Sequence, residues 1–177
     1  MLNKILVAID NSEISRQAFD EALSLAKVSN ASLILFHVLS PFEDDYTKVV
    51  SLNSSSIYPT FNADFSNYYL KHWEEIKQER IDLLNKLADT ARISGVDVEF
   101  SLSLGSAGKI ICDKARDCGA DVIVIGRRGI GLISEFLLGS VSNYVLHHAP
   151  CSVFTVQQKV NETHAIHSKE YLTSSHS

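Results

Sequence analysis

Three glycines and a serine between positions 126 and 140 have types and a spacing suited to binding an anion. They are Gly126, Gly129, Gly139 and Ser140, and they form the pattern G-x2-G-x9-G-S. Glycine lets a ligand approach the main chain closely, and a helix start offers backbone N–H donors and a positive dipole end. The stretch therefore predicts a phosphate-binding loop, although glycines at such places also punctuate turns and helix caps.

The loop belongs to neither of the two common phosphate-binding patterns. No lysine follows Gly139, so the P-loop pattern is absent, and the spacing G-x-G-x-x-G does not follow the first predicted strand. The loop instead has the longer spacing G-x2-G-x9-G-S.

Two apolar runs are predicted strands that position the loop and, near it, the carboxylate of Asp10. Residues 122–125 are an unbroken apolar run before Gly126, and residues 5–9 are a second one that ends at Asp10. Continuous apolar runs of this length are typical of central parallel strands covered by helices on both faces. Asp10 thus lies at the strand edge where open α/β sheets bind ligands. It could also cap the following helix, but Asn11 or Ser12 could do so equally well.

The rest of the chain alternates between strand and helix patterns. Further strands are predicted at 31–39, 96–104 and 151–156, and helices after Ser12, at about 64–94, from Ala107 to near Gly119, and after Ser140. The stripe of the 64–94 helix includes Arg80, and the 31–39 strand contains His37, which we interpret as a hydrogen-bonded core residue. Apolar and polar residues alternate strictly in 96–104, which favours the side of the sheet. The pattern predicts a three-layer α/β domain with a parallel five-stranded sheet.

The glycine pattern, the first strand and the last strand together resemble the nucleotide-binding branch of the universal stress protein family. The resemblance implies an open, twisted sheet of strand order 3-2-1-4-5 of the adenine nucleotide alpha-hydrolase-like kind, so that Asp10 and Gly126 face one crevice. It also implies a set of nucleotide-binding positions. These are Ala8, Ile9, Asp10, Val38, Ile125, Gly126, Arg128, Gly129, Gly139, Ser140, Val141 and Ser142. The family usually has proline where Ser152 stands.

By this resemblance the ligand is ATP, with Mg2+ as a companion and AMP or ADP as other candidates. Backbone N–H groups around Gly129 and Gly139-Ser140 would hold the phosphates, with Ser140, Ser142 and Arg128 as side-chain donors. Asp10 would contact the ribose–phosphate region or the Mg2+. The adenine would be lined by Ala8, Ile9, Val38 and Ile125. Without a phosphate-loop lysine we expect a structural or regulatory ligand and no efficient catalysis, at most a slow ATPase. Three other interpretations stay open: a slow nucleotide hydrolase, a nucleotide-free interaction module, and a binder of flavin or of AMP-type second messengers.

The composition limits the partners. A formal net charge of −5 and a pI near 5.8 argue against a nucleic-acid partner. Cys112, Cys118 and Cys151 form no CxxC pair, which favours buried reduced thiols over a disulfide framework or a zinc site. No run approaches a membrane span and the N-terminal apolar run is short for a signal peptide, so we expect a cytoplasmic location and no membrane partner.

We expect one domain at 1–157, a long loop at 40–62 and a disordered tail at 158–177. The loop is either a flap near the nucleotide or a surface excursion.

The resemblance also implies a homodimer through the last strand, 151–156, because its edge carries Val153, Phe154 and Val156.

Overall fold

The computed structural model describes residues 2–40, 63–127 and 139–157, with the backbone alone for 63–70. In these ranges strands and helices alternate along the chain. Their bounds are β1 Lys4–Ala8, α1 Glu13–Ser29, β2 Ser32–Leu39, α2 Ala63–Ile93, β3 Val98–Leu104, α3 Ala107–Cys118, β4 Val122–Arg127, α4 Ser140–His148 and β5 Ser152–Gln157. Arg128, Gly129, the predicted tail and all of the predicted long loop except Ser40 lie outside these ranges.

The five strands form one parallel sheet in the order β3-β2-β1-β4-β5, as predicted. The central strand β1 pairs with β2 on one side and β4 on the other, with Ile5 opposite Leu33 and Val122. Ile5, Leu6 and Val7 are fully buried, which explains their continuous apolar run. The alternating strand β3 pairs with β2 alone among the described strands and lies at one edge, so that prediction is also confirmed.

Two separate cores cover the two faces of the sheet. Side chains alternate across a strand, so Ile5 and Val7 pack with helices α1 and α2, while Leu6 and Ala8 pack with α3 and α4. Phe19 of α1 anchors the first core with 2% of its surface exposed. Burying a side chain of this size contributes roughly 1.5–3 kcal/mol to folding. The described helices therefore cover both faces of the sheet, which leaves the carboxyl ends of the strands as the usual place for a ligand.

The helix ends follow local rules that the sequence shows. Ser12 caps α1 by accepting the Ser15 N–H at 3.3 Å, and Asn30 ends that helix in the left-handed region at φ 55°. Gly119 ends α3 in the same region, where glycine carries no steric penalty. The predicted strand ends lie within two residues of the observed ones. Ile9 lies just beyond β1, yet its N–H still donates to the Phe36 carbonyl at 2.8 Å.

The three cysteines are free thiols. Cys112 is buried as predicted, whereas Cys118 and Cys151 are only half-buried. Burial raises the pKa of the Cys112 and Cys151 thiols above the ordinary value. Within the described ranges, no helix is both long enough and apolar enough to cross a bilayer.

Candidate functional site

A cleft of about 380 Å³ opens at the carboxyl ends of β1, β2 and β4. This is where β1 sends the chain to one face of the sheet and β4 to the other, the usual ligand position in such folds. Ten of the positions named from the sequence line it. They are Ala8, Ile9, Asp10, Val38, Ile125, Gly126, Gly139, Ser140, Val141 and Ser142. The other two, Arg128 and Gly129, lie outside the described residues, so their roles stay predictions.

One part of the cleft is apolar and narrows onto the second core. Ala8, Phe36 and Ile125 are buried members of that core, and Val38 and Ile111 complete the wall. Lys114 places its Nζ 5.8 Å from the centre of the Phe36 ring, a distance at which a cation is attracted to an aromatic face. A flat, apolar group of a ligand would leave water favourably here, because these wall residues are apolar.

The other part of the cleft is formed by the start of helix α4. Gly139 is the N-cap, no side chain caps the helix, and its first turn contains no acidic residue. The first amides of a helix have no acceptor within the helix, and they carry the positive end of its dipole. Gly139, Ser140 and Val141 line the cleft, so this end of it is suited to an anion.

Gly139 has φ −55° and ψ 152°, a conformation open to any residue. Glycine is therefore not required here by backbone strain. Because glycine has no Cβ, it allows close approach to the main chain at the start of the helix.

Ser142 is more buried than its predicted role requires. It is 2% exposed, and its hydroxyl donates to the Gly139 carbonyl at 3.0 Å. To donate to a ligand, it would have to break that bond, whereas its hydroxyl oxygen can accept without doing so. The bond holds the first turn of α4 in shape.

Asp10 lines the cleft beside the start of α1, and its carboxylate is held by the turn that follows. Its Oδ1 accepts the Ser12 N–H at 2.8 Å and also contacts the Ser12 hydroxyl, and its own N–H donates to Ser15 Oγ at 2.9 Å. Ser12, and not Asp10, caps α1. Asp10 thus orients the cap and presents a carboxylate to the cleft.

The described residues show no group of three or more histidine, cysteine, aspartate or glutamate side chains that could hold a metal ion. Mg2+ needs fewer protein ligands when it travels with phosphates, because it binds through one or two carboxylates, the phosphates and water. Asp10 is therefore suited to contact a phosphate-bound Mg2+ and is not sufficient for a metal site made of protein side chains.

Several residues that line the cleft were not named from the sequence as binding positions. His37 is 3% exposed and its Nδ1 lies 2.6 Å from the Ile9 carbonyl, which confirms the predicted hydrogen-bonded core residue and also places it in the wall. Phe36 and Arg80 line the cleft as well. Arg80 had a visible signal: it is a charged residue at an apolar stripe position of its helix.

Comparison with known proteins agrees with this architecture. A universal stress protein of Synechocystis sp., Sll1388, is 35% identical over 158 residues, which is 87% of this chain and 97% of that protein. Universal stress protein UspA from Lactobacillus plantarum has a similar fold, with a TM-score of 0.67, 24% identity and coverage of 87% of this chain and 97% of that one.

Two further structures of similar fold are nucleotide complexes. A universal stress protein in complex with cAMP has a TM-score of 0.61 at 23% identity, covering 89% of this chain and 98% of that one. An Arabidopsis thaliana protein of the universal stress protein family with AMP bound has a TM-score of 0.58 at 24% identity, covering 91% and 95%. These likenesses show the fold.

The family model described as the universal stress protein family matches residues 1–157. Together with the fold and the Synechocystis relative, this match establishes the chain as a member of the universal stress protein family.

Proposed function

We propose that the cleft binds an adenine nucleotide, in its most specific form ATP with Mg2+, and that the nucleotide is a structural or regulatory ligand in a stress response. The proposal rests on one observation: ten positions that were named from the sequence line one cleft, which has an apolar part and a helix start. The cAMP and AMP in two structures of similar fold support an adenine nucleotide as the ligand class.

In this proposal the base occupies the apolar part of the cleft and the phosphates approach the first turn of α4. Asp10, between the two, contacts the ribose–phosphate region or a phosphate-bound Mg2+. The volume of about 380 Å³ is within the range of roughly 300–1,000 Å³ that is usual for small-molecule sites.

The described wall of the cleft contains little that could hydrolyse the nucleotide. Asp10 is the carboxylate there, and its Oδ1 is already bonded to Ser12. Hydrolysis needs a residue that positions water and cations that neutralise the transferred phosphoryl group. We therefore propose slow turnover at most, and control through the stability that a bound ligand confers on the folded chain.

The first test is thermal unfolding with ATP, AMP and cAMP, each with and without Mg2+. A ligand at 100 times its Kd stabilises the folded state by about 2.7 kcal/mol, which raises the Tm of a chain of this size by roughly 5–10 °C. ATP is expected to give the largest shift, and only with Mg2+ present to reach its full value. A larger shift with AMP or cAMP would favour the second-messenger interpretation, and no shift with any of the three would refute nucleotide binding.

A variant pair tests where the phosphates bind. Gly139→Val places a branched side chain over the α4 amides and is expected to abolish the ATP-induced shift. Asn143→Val makes the same side chain on an exposed position of the same helix, outside the cleft, and should keep the shift. If Gly139→Val binds ATP as tightly as the wild type, the helix start is not the phosphate site.

Further parts of the proposal concern location and assembly. The protein would work in the cytoplasm, without a nucleic-acid partner, as a homodimer in which β5 strands of two copies meet. Phe154 of β5 is 45% exposed, and β5 pairs with β4 on one side only among the described strands. An exposed edge strand with an apolar side chain is a natural surface for a second copy.

A further inference from the structure

Helix α2 contributes an arginine to the cleft, and most of its side chain is shielded from solvent. Arg80 lies four residues before Leu84, which is fully buried against the sheet, so both side chains face inward. The Arg80 side chain is 11% exposed, and it lines the cleft together with Asp10, Asn11 and Ser40. A charged group this deeply placed is uncommon unless it is paired.

The pairing that Arg80 has within the described residues is incomplete. Its Nη1 lies 3.4 Å from Oε1 of the neighbouring Glu79, whose side chain is 64% exposed. Its Nε and Nη1 are shielded from solvent and make no hydrogen bond. Residues adjacent on a helix do not face each other, so this ion pair has poor geometry. A shielded donor without an acceptor destabilises the folded chain, and a charged donor does so more strongly than a neutral one.

An acceptor that entered the cleft would remove this cost. A guanidinium is planar and presents its donors as a fork that matches the oxygens of a phosphate. Among the described residues of the cleft wall, Asp10 is the acidic side chain and Arg80 the cationic one. An anionic ligand would be repelled by Asp10, and Arg80 is the side chain in the described wall that can offset this repulsion.

We propose that Arg80 is a ligand-binding residue of the cleft, whose guanidinium donates to a phosphate oxygen of the bound nucleotide from the sheet face opposite helix α4. The inference rests on the proposed nucleotide function. It adds a second phosphate contact, so that the anion is held between the α4 amides on one side and Arg80 on the other.

The test compares ATP with adenosine, because the two differ only in the phosphates. Calorimetric titration would give the Kd of each for the wild type, for Arg80→Met and for Arg92→Met. Methionine keeps much of the length and apolar stem of arginine without the charge. Arg92 is the matched control, since it lies on the same helix with its side chain 51% exposed and paired with Asp89 at 2.9 Å.

Arg80→Met is expected to weaken ATP about 10- to 100-fold, the worth of a hydrogen bond to a charged group, and to leave adenosine nearly unchanged. Arg92→Met should change neither. Equal weakening of ATP and adenosine, or no weakening of either, would overturn the inference. If the wild type bound neither ligand, the proposed function would fail with it. If the wild type and Arg80→Met bound ATP alike, only the role of Arg80 would fail.

A second variant and a second measurement cover the case in which Arg80→Met does not fold. Arg80→Lys keeps a charge on a flexible stem but loses the fork, and is expected to weaken ATP by an intermediate factor. In the wild type, the Arg80 Nε–H resonance should shift on addition of ATP and not of adenosine. An unchanged resonance at saturating ATP would contradict a phosphate contact.

Discussion

At the scale of single residues, Gly126 has a packing role as well as its predicted role at the ligand. A Cβ at this position would lie 3.1 Å from two side-chain carbons of Ile14 and 3.2 Å from its backbone oxygen. These distances are shorter than most carbon contacts, so a Cβ would push the end of β4 and the start of α1 a few tenths of an ångström apart. Glycine at 126 thus favours the close packing of these two elements even without a ligand.

We expect Gly126→Ala to lower the free energy of unfolding by about 1–3 kcal/mol, the usual cost of overpacking. Urea denaturation measures this directly. Ile14→Ala in the same chain removes the two carbon contacts but leaves the backbone oxygen, so the double variant should be more stable than the sum of the single effects implies. Strict additivity, or an alanine variant as stable as the wild type, would show that the two elements move apart freely.

Half of the residues that line the described cleft, ten of twenty, were named from the sequence, and the set came from the family resemblance. The residues alone already indicated Asp10 and Gly126, which follow two apolar runs, because parallel strands bring such ends to one edge of a sheet. Arg80 could not be placed in this way. It lies in the middle of a long helix, and only packing against the sheet shows that its tip reaches the cleft. The bond from Ser142 to Gly139 was also missed, since it depends on the rotamer of one hydroxyl side chain.

At the scale of elements, Asp121 joins the start of β4 to the start of β1. Its Oδ2 accepts the N–H groups of Asn3 at 2.7 Å and Lys4 at 2.9 Å. The bond from Asn3, then that from Lys4, holds the pKa of this carboxyl below its ordinary value. These two strands carry the two sides of the cleft, so the contact helps to fix the site from the opposite end of the sheet.

A carboxyl whose pKa is lowered on folding stabilises the folded state above its unfolded pKa, about 4, and loses this effect as the pH falls through the folded pKa. Asp121→Asn keeps an acceptor oxygen but removes the charge. We expect it to be less stable than the wild type at pH 7 and to match it below the folded pKa. Urea denaturation at a series of pH values would give this comparison.

Asp113→Asn is the control for that series. Bonds from Lys109 and Arg116 lower the pKa of Asp113, but all three residues lie on one side of α3, within two turns of that helix. Its neutralisation should change stability less than that of Asp121, because no second element depends on it. Equal effects of the two changes would mean that the strand-to-strand contact is worth no more than a surface pair.

The sequence determined the type and order of the described elements better than their ends. Burial on both faces leaves a continuous apolar run in β1 and β4, and an edge position leaves the alternation of β3, so these three positions were visible in the patterns, whereas the order of all five strands came from the family resemblance. The strand ends were less visible because they depend on which residues form hydrogen bonds with the neighbouring strand. Cys151 is apolar, yet β5 begins at Ser152, which lies opposite Val122, the first residue of β4.

At the scale of the whole molecule, the cleft connects the two cores. Its wall includes Ile9 and Ile14 from the first core and Phe36 and Ile111 from the second, so a ligand bound there would contact both layers of helices. A nucleotide would therefore stabilise the domain as one unit and would not protect a single loop. This suits a ligand whose effect is regulatory.

The proposed dimer can be tested by placing a lysine on one edge strand of the sheet at a time. Phe154→Lys puts a charge on β5, where we propose that two copies meet, and is expected to convert a dimer into a monomer in sizing chromatography at micromolar concentrations. Leu104→Lys changes a side chain that is 55% exposed at the other edge, on β3, and should leave the dimer intact. Lysine on an edge strand disfavours pairing with another chain, so each variant reports on its own edge. A wild type that elutes as a monomer, or a dimer that only Leu104→Lys dissociates, would exclude assembly through β5.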